Sequence, residues 1–102
     1  MKQYLFRFGY EDVYEFDSNR NSKSDLESCY SVFIQAENEE LAINWGVVIA
    51  QRFVEDLFGL SNRDPYSWLS ANFSYWIEDD FEAGKPEYKV FQRLEEGEYI
   101  NI

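Results

Sequence analysis

The sequence predicts an α+β domain: a two-layer sandwich in which one long helix packs on one face of a mainly antiparallel sheet of four to six strands. Three observations predict it. Alternating apolar residues recur at Lys2–Tyr10, Leu26–Ala36 and Ala71–Ile77, the period of a half-buried strand. A single stretch between Asn38 and Gly59 carries its apolar residues at helical spacing instead. Finally, 102 residues of which 45% are apolar and 20% aromatic supply one core, since chains divide only beyond roughly 250 residues. No segment rich in Pro, Gly or Ser separates two halves, so residues 1–102 are expected to form a single domain.

Each element has its own justification. Tyr4, Phe6, Phe8 and Tyr10 share one side of the first strand, with Gln3, Leu5 and Arg7 on the other. Gly9 and Glu11-Asp12 suggest a bend, after which Val13–Phe16 returns as a second short strand with Tyr14 and Phe16 inward. Asp17–Asp25 holds no apolar residue; it cannot offset its ordering entropy by burial and reads as a mobile loop. Leu26, Tyr30, Val32, Ile34 and Ala36 then share the inward face of a central strand, with Cys29 opposite as a packing residue.

The helix opens on Asn38 as N-cap, carries Glu39 and Glu40 in its first turn, and closes on Gly59. Ala42, Gly46, Ile49, Ala50, Phe53 and Leu57 form its apolar face, the four-residue spacing of Ala42, Gly46 and Ala50 inviting close approach to the sheet. Leu41, Trp45 and Val48 fall toward the polar side and need a cover or a partner, including a second copy in a homodimer. Asp64-Pro65 has the form of an N-cap and first-turn proline, which predicts a short helical turn over Pro65–Ser70. Strands follow at Ala71–Ile77 and Tyr88–Leu94, with an acidic reversal at Glu95–Glu98 and a short last strand at Tyr99–Ile102. The connection from Ala36 to Asn72 through the helix suits a crossover between parallel neighbours, and a ferredoxin-like topology is one compatible arrangement.

Charge narrows function. Twenty Asp plus Glu against nine Lys plus Arg give a formal charge of −11, which opposes binding to a phosphate backbone. The absence of histidine removes the commonest general base and metal ligand together. No internal disulfide is available to a lone cysteine, which suits a reducing, cytoplasmic setting. Arg7 and Glu11-Asp12 interrupt the first apolar run, so no export signal is expected, and charges within the long helix argue against a membrane span.

Asp17, Asn19 and Asn21 match three positions of a calcium loop, but Ser22 and Ser28 stand where glycine and a bidentate Glu are required. Gly84-Lys85 lacks the rest of a phosphate cradle. The sequence therefore points to no cofactor, no metal and no catalytic residue. What remains is an acidic-aromatic surface. Trp76 is followed by Glu78, Asp79, Asp80 and Glu82, and the C-terminal part adds Glu95, Glu96, Glu98 and Tyr99. Such mixtures suit protein interfaces, where aromatic anchors fill pockets and carboxylates steer a basic partner.

The segment Tyr30-Ser-Val-Phe-Ile-Gln-Ala-Glu-Asn-Glu-Glu-Leu-Ala, a strand leading into an acidic-capped helix, and the run Tyr75-Trp-Ile-Glu-Asp-Asp80 give the chain a style that resembles the small acidic bacterial immunity proteins. The resemblance implies a cytoplasmic, non-enzymatic inhibitor that binds a cognate toxin and covers it with acidic side chains. Two other classes fit the charge: a DNA mimic or anti-defence inhibitor, and a homo-oligomeric structural module. A small carboxylate enzyme would need two acids held roughly 5 to 9.5 Å apart.

Overall fold

The computed structural model describes residues 2–78 together with the backbone of Arg93–Glu95. In chain order the elements are β1 (Lys2–Tyr10), α1 (Val13–Asn21), β2 (Ser28–Ala36), α2 (Glu39–Leu60), a 3₁₀ turn (Leu69–Ala71), β3 (Tyr75–Ile77) and β4 (Arg93–Glu95). The strand order is β3-β1-β2-β4. β1 and β2 pair antiparallel over their whole length, from Lys2 opposite Ala36 to Tyr10 opposite Ser28. β3 pairs antiparallel with β1 through Phe6–Ile77 and Phe8–Tyr75, while β4 runs parallel to β2.

The α+β class and the long helix on one face of the sheet therefore stand, with two corrections. The antiparallel part has three strands rather than four to six, and there are two helices rather than one. β2 and β3 do run parallel on either side of α2 in sequence, but β1 lies between them, so the crossover is a split unit.

Most of the core lies where the prediction puts it, but Leu5, predicted outward, is fully buried, and on the helix Val54 and Phe58 are buried where Leu57 was expected and is only half-buried. Phe6, Phe8, Val32, Ile34 and Ala36 from the sheet meet Ala42, Ile49, Ala50, Phe53, Val54 and Phe58 from α2, all essentially buried. Gly46 makes the layers fit, because a Cβ placed there would strike the Phe6 ring. Asn38 caps α2 by accepting the Leu41 amide at 2.9 Å. Closure differs from expectation. Gly59 stays helical and Asn62 takes the left-handed position at φ 58°, with Asn62 N–H bonded to Gly59 and Arg63 N–H to Phe58. Those two bonds make a Schellman ending, and Asn is the one common substitute for glycine there.

The larger correction concerns residues 13–25. The predicted strand Val13–Phe16 and the front of the predicted loop form α1 instead. Asp12 and Glu15 build a capping box: the Asp12 carboxylate accepts the Glu15 amide at 2.8 Å and the Glu15 carboxylate accepts the Asp12 amide at 2.9 Å. Helical spacing then puts Val13 and Phe16 against the core and turns Tyr14 out, 72% exposed rather than inward. Asn19 orders the segment beyond, its side-chain amide donating to the Leu26 carbonyl at 2.8 Å and accepting the Leu26 amide at 2.7 Å. Leu26 itself is exposed, outside β2.

Residues 65–68 do not form the predicted helical turn; the short 3₁₀ segment starts at Leu69. Trp68 drives this path, because its indole is buried and donates to the Gly9 carbonyl at 2.8 Å. Asn72 at φ 60° then delays β3 until Tyr75, so Ala71 and Phe73 are not in the strand. The predicted strand Tyr88–Leu94 is seen only at its end, in β4; its earlier residues, the reversal at Glu96–Glu98 and the last strand at Tyr99–Ile102 lie outside the described residues. Cys29 is exposed rather than packed.

Candidate functional site

β3 carries the first predicted cluster on an edge of the sheet. Trp76 sits opposite Arg7 of β1, and the alternation of the strand puts Glu78 on the same side as Trp76. The indole N–H donates to the Glu78 carboxylate at 3.2 Å, and Arg7 reaches the same oxygen at 3.5 Å with its guanidinium 5.8 Å from the indole centroid. Trp76 nevertheless stays 40% exposed, and Tyr75 next to it 41%. The structure therefore brings Trp76 and Glu78 together, with Arg7 as a third member that sequence reasoning missed. Its signal was available: Arg7 interrupts an otherwise aromatic strand.

Asp79, Asp80, Glu82, Glu96, Glu98 and Tyr99 lie outside the described residues. Glu95 belongs to β4 at the far side of the sheet, opposite Gln35. Three strand spacings, about 14 Å, separate β3 from β4. The two predicted clusters thus start from opposite edges.

A second aromatic-acidic region went unpredicted. Tyr10, Asp12 and Glu15 converge where β1 enters α1, and Ser28 donates to Glu15 at 2.8 Å. Burial raises the Tyr10 phenol above its ordinary range, and the charges of Glu15 and Asp12 push it further. Glu27 leans across Gly9 here, where any Cβ would strike its carboxylate. The Asp12-x-x-Glu15 spacing was the legible signal for this region.

Beneath it lies a buried polar knot. Glu11 is 8% exposed; its carboxylate accepts from Asn19 and lies 3.4 Å from Arg20. Its backbone amide donates to the Tyr66 hydroxyl at 2.8 Å, and that hydroxyl donates back to the Glu11 carbonyl at 3.1 Å. Burial, with the Glu11 and Glu15 charges adding, lifts the Tyr66 phenol far above its usual range.

The arginines decide the electrostatics. Arg7 pairs with Glu78, Arg20 with Glu11, Arg52 with Glu55 and Arg63 with Asp17. Every arginine in residues 2–78 is thus engaged by a carboxylate of the same chain. Asp25, Glu27, Glu37, Glu39, Glu40, Asp56 and Asp64 have no such ion pair among the described residues. No group of three or more His, Cys, Asp or Glu is placed to hold a metal ion among those residues, and none of their helices is long and apolar enough to cross a membrane. Compared with protein-family models, curated proteins and solved structures, the chain matches none.

Proposed function

We propose that the protein is a non-enzymatic inhibitory binding protein that neutralises a basic partner, in the manner of an immunity protein against a toxin domain. The observation that carries this reading is the disposition of charge: the arginines of residues 2–78 are each paired with a carboxylate of the same chain, while Asp25, Glu27, Glu37, Glu39, Glu40 and Asp64 are exposed without an ion pair among the described residues, as are the rings of Tyr14, Tyr75 and Trp76. A charge of −11 exceeds the magnitude of about 2 to 8 that solubility asks of a small domain. Such a surplus raises encounter rates with a cationic surface and costs stability by self-repulsion. Trp76 offers an anchor at the sheet edge, with Glu78 beside it and Asp79, Asp80 and Glu82 following in sequence.

The test is capture of the partner from the native host, followed by stopped-flow association with the purified partner across ionic strength. The association rate is expected to fall steeply as salt rises. Charge reversal at Asp79 and Asp80 weakens affinity while the melting temperature holds. Salt-independent association overturns the reading, and unchanged affinity in the double variant removes the assignment of the contact residues. Competition by duplex DNA would identify the partner as a nucleic-acid-binding enzyme and this chain as a DNA mimic.

A further inference from the structure

β3 forms one end of the sheet, and its backbone bonds decide which of its groups are engaged. Glu78 N–H donates to the Leu5 carbonyl at 2.8 Å, and Gly9 N–H donates to the Ser74 carbonyl at 2.9 Å. With Trp76 opposite Arg7, these bonds fix the alternation of the antiparallel ladder. Ser74, Trp76 and Glu78 turn their amides and carbonyls toward β1, whereas Tyr75 and Ile77 turn theirs away. The outward groups of Tyr75 and Ile77 have no backbone partner among the described residues. A row of unpaired N–H and C=O groups is the chemistry that recognises another main chain.

Two further observations mark this edge. Edge strands are ordinarily blunted by Lys, Pro, a bulge or an inward charge. Residues 74–78 hold no Lys and no Pro, and their register with β1 runs without a bulge. Aromatic rings also flank the edge on both faces. Tyr75 lies on the α2 side, its ring centroid 5.9 Å from that of Phe6 and 5.6 Å from that of Trp68, while Trp76 lies on the other side beside Arg7. Both rings keep exposed surface, so alternate side chains of an added strand would meet one ring on each face.

Charge at the edge itself is balanced, because Arg7 lies 3.5 Å from Glu78. The edge therefore selects for a peptide backbone and for apolar side chains. A second copy is disfavoured by the charge of the whole chain, −11 against −11. We propose that β3 takes up an extended segment of a protein partner, which adds a strand to the sheet by pairing its backbone with Tyr75 and Ile77 and lays an apolar side chain on Trp76. The inference rests on the reading of the chain as a binder of a basic protein: the charge of the whole chain draws the partner in, and the edge supplies the mode of contact.

The probe is a synthetic peptide of alternating Val and Thr with Lys at both ends, titrated into the full chain labelled with ¹⁵N. Its control has the same side chains and charge but every internal amide N-methylated. Hydrogen exchange is expected to slow at the Tyr75 and Ile77 amides and to change little at Trp76, whose amide already faces β1. The methylated peptide should bind about tenfold more weakly, as the loss of a backbone hydrogen bond dictates. Ile77→Pro removes one outward donor and leaves the Glu78 bond to Leu5 in place, and should weaken the unmodified peptide to a similar extent. If that variant does not fold, the methylated peptide on the unaltered chain carries the test.

Equal binding of the two peptides, or protection without the alternation between Tyr75, Trp76 and Ile77, would show plain charge attraction and overturn strand addition while leaving the acidic-binder reading intact. Unchanged affinity in a folded Ile77→Pro variant overturns it as well. Absence of any binding also overturns it, and the salt dependence of the captured partner then decides the broader reading separately. A dimer in sedimentation that protects the Tyr75 and Ile77 amides without peptide would assign the edge to a second copy instead.

Discussion

Two helices of one small protein are held by opposite means. α2 buries seven residues against the sheet, from Ala42 to Phe58. α1 has no fully buried residue; beyond the partly buried Val13 and Phe16, it is fastened by its capping box, by Asn19 on Leu26, by Glu11 beneath it, and by the two-pronged Arg63–Asp17 contact at 2.8 and 2.9 Å. Area burial is insensitive to salt and acid, whereas hydrogen-bonded charge is sensitive to both. The same chain therefore has a layer that conditions leave alone and a corner that they tune.

The contrast breaks hardest in the dry layer. Phe8 meets Phe53 and Trp68 edge-on at 5.5 and 5.8 Å, and Phe8→Ala should cost about 4 kcal/mol in urea unfolding. A variant that unfolds at wild-type denaturant concentration would show that this layer does not carry the fold. Next is a pair of glycines. Gly46→Ala forces the Phe6 ring aside and should destabilise by about 2 kcal/mol despite the gain in helix propensity. Gly59→Ala meets nothing within 4 Å, and should stabilise by up to about 1 kcal/mol. Thermal melts of the two should move in opposite directions.

In the polar corner, Tyr66→Phe strands the Glu11 amide and should cost about 1 kcal/mol, with hydrogen exchange accelerating at Glu11 before the α2 amides respond. Tyr66 also sets an alkaline limit. Its folded phenol titrates above the unfolded value of 10.0, so the unfolded state loses its proton first and stability declines as pH rises past about 10. Tyr66→Phe should flatten that decline in melts recorded through the same range.

The smallest effect belongs to Asp17. The hydrogen bond from Arg63 holds its carboxyl below the usual carboxylate range, so its contribution is present above the unfolded pKa and is lost as pH falls through the lower folded one. Asp17→Asn should leave the melting temperature nearly unchanged, yet remove this part of the acid dependence of α1 exchange rates. An undiminished acid response in that variant would move the sensitivity to another carboxylate.

The split also explains what the sequence made legible. Burial writes itself as periodicity, so β1, β2, α2 and their facing residues could be read from Phe6, Phe8, Val32, Ile34 and Phe53. α1 leaves no such trace. Tyr14 and Phe16 mimic a strand's alternation, while the deciding signal was the cap at Asp12 and Glu15. Bonds between residues distant in sequence, such as Trp68 to Gly9 and Tyr66 to Glu11, have no local pattern at all, and they set the path of residues 61–74. At the candidate site, Trp76 and Glu78 were legible as neighbours on one strand face. Their sharing of Arg7 depended on the β1–β3 register, which no spacing encodes.

The indoles of Trp68 and Trp76 occupy contrasting settings. Trp68 is sealed and bonded to a backbone carbonyl, whereas Trp76 stands in partial contact with water beside a carboxylate. Once Trp45, the third and partly buried indole, is replaced by Phe, their emission should differ accordingly, blue and shielded from iodide for one, red and quenchable for the other. An occupant at the sheet edge would alter the red component alone, while loss of the fold would alter both. The Trp45→Phe chain thus carries an intrinsic optical reporter that separates engagement from unfolding without any added dye.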